Sequence, residues 1–108
     1  MAYFALFYDT VADFVERRTP FRAEHLALVD AAYRGGSLLL AGALKPERGP
    51  STAAPPAPGA GALLVFRVDS ADKVARFAER DPYVANGLVR SWRVDEWAVV
   101  VGEHAIPR

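Results

Sequence analysis

The 108-residue chain contains no cysteine. That absence excludes disulfides, thiolate nucleophiles and Cys-ligated zinc. Charge of one sign is missing as well, since 13 Lys plus Arg balance 13 Asp plus Glu. A nucleic-acid or membrane-surface partner calls for a basic surplus or stripe. The short arginine clusters, ERR at 16–18 and VRSWR at 89–93, are interleaved with acidic or apolar residues. Neither partner is expected. No apolar run approaches the ~20 residues of a membrane span. The opening MAYFALFYDT has no basic lead-in, and Asp9 interrupts it too early for a signal peptide. A cytoplasmic location is the resulting expectation. Histidine is scarce, with only His25 and His104. The one carboxylate close to His25 in the chain is Glu24, which a helix would point off the His25 face, so no metal or other cofactor is expected.

What is present fits one domain spanning 1–108, with 52% hydrophobic and 24% charged residues. The aromatic run YFALFY (3–8) reads as a buried strand. VADFVERR (11–18) reads as helical, and a break at Thr19–Pro20 starts a second helix with Thr19 as N-cap and Pro20 as its first residue. Phe21, His25, Leu28, Val29 and Ala32 fall on one face of that helix, which Gly35–Gly36 ends. SLLLAGA (37–43) is a second strand. Residues 45–61 hold five prolines (46, 50, 55, 56 and 58) and three glycines (49, 59 and 61). They form a long loop of the kind that is either a functional flap or a connection. ALLVFRV (62–68) is a third strand. Ser70 caps a helix whose Ala71, Val74, Phe77 and Ala78 share a face, and a Trp-bearing strand over 89–101 precedes a tail at 102–108.

The order β, α, β, β, α, β predicts an α+β, ferredoxin-like fold with an antiparallel sheet. Two helices cover only one sheet face. Yet Tyr3, Ala5 and Phe7 oppose Phe4, Leu6 and Tyr8, and Leu64, Phe66 and Val68 oppose Leu63 and Val65. A bare apolar face is an exposed patch that soluble monomers avoid. Two copies packed sheet on sheet would cover it; a long loop folded across it is the other solution.

His25 and Asp81 are the candidates for chemistry. A histidine on an apolar stripe is either a hydrogen-bonded core residue or a proton carrier. Asp81 begins DPYVANG (81–87), where Asp at N-cap, Pro82 at the first helical position and Gly87 at the end form a capping pattern. The second carboxylate oxygen remains available for an imidazole. Arg22, one turn before His25, offers a planar fork to an anionic substrate group or is a solvated ion-pair former. Tyr83 lines a pocket or simply packs.

YFALFY, RAEHL (22–26), GSLLLAGAL (36–44), the stretch 62–89 and the closing Trp-bearing strand together resemble the YciI-like (YCII-related) family. The combination of R-x-x-H-L with D-P-Y-x-x-x-G carries most of the specificity. The resemblance implies a dimeric α+β barrel of ferredoxin-like subunits. It also implies a cleft with a His–Asp pair, here His25 and Asp81. The loop 45–61 and the TPFRAEHL lead depart from the family pattern, which leaves the role of Arg17 or Arg18 open. Three functions compete. One is a cofactor-independent enzyme using the pair for elimination, dehydrochlorination-like or isomerisation chemistry on a small cyclic or aromatic compound. A second is a dimer that binds a small ligand without turnover. The third is a cofactor-free oxygenase with a pocket shaped by Trp92, Trp97 and Tyr83.

Overall fold

The computed structural model describes residues 1–45, 61–103 and 105. Its elements are β1 (Ala2–Thr10), α1 (Phe14–Arg17), α2 (Thr19–Arg34), β2 (Leu38–Ala43), β3 (Ala62–Val68), α3 (Ala71–Arg80), α4 (Pro82–Ala85) and β4 (Val89–Trp97). The sheet order is β2-β3-β1-β4, with every neighbouring pair antiparallel. This is the ferredoxin-like βαββαβ arrangement, extended by the single turns α1 and α4.

Alternation in β1 decides which side chains meet the helices. Phe4, Leu6 and Tyr8 point inward, with Phe4 opposite Phe66 and Leu6 opposite Leu64. Val74, Phe77 and Ala78 of α3 close this layer from above. Phe21, Leu28, Val29 and Ala32 of α2 pack on the same core, although α2 buries no residue completely.

Several boundaries differ from the sequence expectation. Thr19 is not an N-cap but the first residue of α2. Arg18 holds the cap position in a helical conformation (φ −76°, ψ −22°), and Phe21 N–H donates to its carbonyl. The chain passes from α1 to α2 without the extended residue that an N-cap side chain needs. Ser70 does precede α3 in an extended conformation, but its hydroxyl makes no capping bond. β4 stops at Trp97 rather than 101, because among the described residues it pairs with β1 alone and that pairing ends at Tyr3 opposite Trp97. Val99 N–H then donates back to the Trp97 carbonyl and turns the chain.

The second sheet face is apolar where β1 and β3 cross it, with Ala5 and Val65 buried there even in the single chain. It is not apolar along β4. Ser91, Arg93 and Asp95 stand opposite Asp9, Phe7 and Ala5, and the Arg93 guanidinium lies 4.2 Å from the centre of the Phe7 ring. Trp97, 51% exposed, sits on the same face beside Tyr3. Apart from Lys45 and Gly61, the expected loop 45–61 lies outside the described residues, as do His104 and the end of the tail.

Candidate functional site

The site assembles around a kink between two helices. α3 ends at Arg80, Asp81 is extended (φ −71°, ψ 123°), and α4 starts at Pro82. Pro82 has no N–H to satisfy, so the first free donor of α4 is the backbone of Tyr83. That N–H donates to Asp81 Oδ1 at 3.0 Å. The cap turns the carboxylate inward, where it has no solvent exposure at all. Two further groups converge on it. His25 Nδ1 lies 2.9 Å from Oδ1 and 3.0 Å from Oδ2, and the Tyr8 hydroxyl donates to Oδ2 at 2.8 Å. Every partner is a donor, so the buried acceptor is fully satisfied.

This arrangement sets the tautomer of His25. Nδ1 must carry the proton it gives to a carboxylate, which leaves Nε2 with a lone pair in the neutral ring. The imidazole is further held by Tyr83, whose ring stacks on it at 4.0 Å between centroids and 18° between planes. Phe14 in turn meets Tyr83 edge-on at 5.1 Å. An imidazole so fixed can take a proton at Nε2 and have the resulting charge stabilised by Asp81 behind it.

A cavity of about 310 Å³ opens on His25 and Tyr83. Tyr8, Arg18, Arg22 and Leu64 also line it, and Gly61 forms part of its wall. Burial pushes the Tyr8 phenol far above its ordinary value of 10.0, and the adjacent Asp81 charge and hydrogen bond push it the same way. Tyr8 therefore stays a donor to Asp81 throughout the neutral range. Burial also raises Tyr83, while the guanidiniums of Arg18 and Arg22 pull it back.

Of the residues singled out in the sequence, His25, Asp81 and Tyr83 are in mutual contact, and Arg22 lines the same cavity. Arg18, not Arg17, is the second arginine there; Arg17 faces Asp13 at 3.7 Å. Neither Trp92 nor Trp97 lines the cavity, so the pocket imagined for an oxygenase is not built from them. Among the described residues no group of three or more His, Cys, Asp or Glu side chains could hold a metal ion. Tyr8 escaped notice in the sequence. The signal was its parity: it shares the inward face with Phe4 and Leu6, and a buried tyrosine hydroxyl needs a partner.

Replacing Tyr8 with phenylalanine removes one donor but leaves Oδ2 within reach of His25. The expected loss is about 1–2 kcal/mol at neutral pH. The pH dependence has a definite sign. Because the folded protein holds the Tyr8 proton more tightly than the unfolded chain, this contribution is complete below pH 10.0 and declines above it as the unfolded chain ionises. Chemical denaturation across the alkaline range should show a shallower fall in stability for Tyr8→Phe than for the wild type.

The chain is thus a small α+β protein of ferredoxin-like fold with a histidine–carboxylate pair beside a cavity. The YCII-related domain model matches residues 1–98, and the chain belongs to that family. No curated protein matches it. Among solved structures, it is similar to 5-chloro-2-hydroxyhydroquinone dehydrochlorinase (TftG) from Burkholderia phenoliruptrix AC1100 in complex with 2,5-dihydroxybenzoquinone. The similarity covers 96% of this chain and 99% of that one, with a TM-score of 0.67 and 24% identity, a likeness of fold. No helix among the described residues is long and apolar enough to cross a membrane.

Proposed function

We propose that the chain is a cofactor-independent acid/base enzyme acting on a small ring compound, with His25 as the proton carrier and Asp81 as its orienting partner. The observation that carries this reading is the 2.9 Å contact between His25 Nδ1 and a fully buried Asp81, beside a cavity lined by His25. The dehydrochlorination performed by the structurally similar enzyme makes elimination the leading reaction class. In such a step Nε2 takes a proton from the ring or its hydroxyl. The freed pair forms a double bond, and the leaving group departs with the electrons of the bond to carbon. His25 then returns its proton to solvent. Tyr83, stacked on the imidazole, offers its remaining ring edge to the substrate.

A positioned base contributes about 10²–10⁴-fold to rate. His25→Gln should therefore lower kcat on a chlorinated hydroxyhydroquinone, followed by chloride release, by at least about 10²-fold. Full activity in that variant would overturn the reading. Saturable ligand binding with no chloride or other product from the wild type would favour a binding protein instead.

The working unit in this proposal is a homodimer. Ala5, Phe7, Leu63 and Val65 form an apolar band on the face that the helices leave bare, and β4 adds charged residues at its margin. Light scattering should give twice the monomer mass for the wild type. Leu63→Lys, on that band, should give the monomer mass without loss of helical signal.

A further inference from the structure

The cavity beside His25 is electrically one-sided. Arg18 and Arg22 both line it, and among the described residues no Asp or Glu does. The two arginines are one helical turn apart, and His25 follows Arg22 by three residues, so all three occupy one flank of α2 and its cap. Four other arginines are matched with acids: Arg17 with Asp13, Arg34 with Asp30, Arg90 with Asp9 and Arg93 with Asp95. Among the described residues neither Arg18 nor Arg22 forms an ion pair. Arg18 instead lies 5.9 Å from the centre of the Phe14 ring, which holds it toward the aromatic side of the cavity. Both cations share the cavity with Tyr83, the ring that stacks on His25. The remaining lining is largely apolar, with Leu26 and Val29 further along α2 and Leu64 on β3.

We infer that Arg18 and Arg22 form an oxyanion clamp, and that the ligand is a single-ring compound carrying a carboxylate or an acidic, ionised ring hydroxyl. The inference rests on the cavity assigned above as the catalytic site and narrows its substrate class. Planar guanidiniums suit a planar oxyanion, and a volume of about 310 Å³ suits one ring rather than two. An anion on the ring also has a chemical use. Where it is an ionised ring hydroxyl, it supplies the electron density that an elimination pushes toward the leaving group; in either form the clamp keeps the bound charge from repelling Asp81.

The test is calorimetric binding at low salt of 2,5-dihydroxybenzoate and its neutral isostere 2,5-dihydroxybenzamide. The wild type should bind the acid at least about tenfold more tightly. Arg18→Gln with Arg22→Gln should abolish that preference; Arg22→Gln alone, at an exposed position, should reduce it and serves if the double variant does not fold. No saturable binding of the acid, equal binding of both probes by the wild type, or a preference that survives in the variants would overturn the clamp. Selective acid binding without any turnover would remove the catalytic reading and uphold this one. His25-dependent turnover with no preference for the acid would do the reverse.

Discussion

Asp81→Ala is expected to cost about 3–5 kcal/mol of stability, enough to lower the melting temperature by roughly 15 °C or more. The cost comes from three donors stranded at once. His25 Nδ1–H, the Tyr8 hydroxyl and the Tyr83 backbone N–H all point at a carboxylate shielded from water. Alanine satisfies none of them, and α4 also loses its cap. Asp81→Asn separates this structural role from the chemical one. Its amide matches the shape, but one of the two positions that accept hydrogen bonds becomes a donor. An NH₂ facing His25 favours the tautomer with the proton on Nε2, which blocks the base. Asn should therefore recover much of the stability lost by Ala yet remain at least about 10²-fold slower than the wild type. Thermal melts and kcat measured on the same two variants check both halves.

Gly61→Ala is the second large effect. Gly61 has φ +118°, a backbone conformation open to glycine and strained for any L side chain. A Cβ there would sit 2.1 Å from the carbonyl oxygen of Tyr8. That obstacle is backbone within the β1–β3 pairing, where Tyr8 faces Ala62, and no rotamer change removes it. Relief requires β3 to move away from β1 at the residue that holds Asp81. Strain and overpacking together should cost about 2–6 kcal/mol. Loss of ligand binding in the protein that still folds should accompany it, because Gly61 also walls the cavity. Denaturant melts and binding of 2,5-dihydroxybenzoate to Gly61→Ala measure the two consequences.

The sequence carried more of the frame than of the site. Strand parity was legible: the alternation of Phe4, Leu6 and Tyr8 against Tyr3, Ala5 and Phe7 is the one observed, because hydrophobic period and sheet pleat are the same quantity. The stripe of α3 was legible from its helical period at Val74, Phe77 and Ala78, although Ala71 at the first turn is exposed. Thr19 misled because Thr-Pro signals a helix start only where the preceding residue leaves helical space, and Arg18 does not. The length of β4 misled because a strand ends where its partner ends, a property of β1 rather than of Ala98 to Val101. Asp81 was readable as a cap from its own neighbours, and the observed cap bond comes from Tyr83. Its meeting with His25 is set by how α2 and α4 lie on the sheet, a distance no spacing in the chain encodes. Arg18 was ambiguous in sequence since ERR offers two adjacent arginines; the helical phase of α1 running into α2 sends Arg17 to Asp13 and Arg18 to the cavity.

The most direct measurement is ¹⁵N NMR of the His25 ring, at a pH alkaline enough for the neutral imidazole to predominate. Proton capture at one defined nitrogen requires Nδ1 to appear pyrrole-like and protonated and Nε2 to appear pyridine-like and bare, with the proton shifting toward Nε2 in Asp81→Asn. A ring protonated on Nε2 in the wild type would contradict the account, since the nitrogen left free by Asp81 would then have no lone pair to offer.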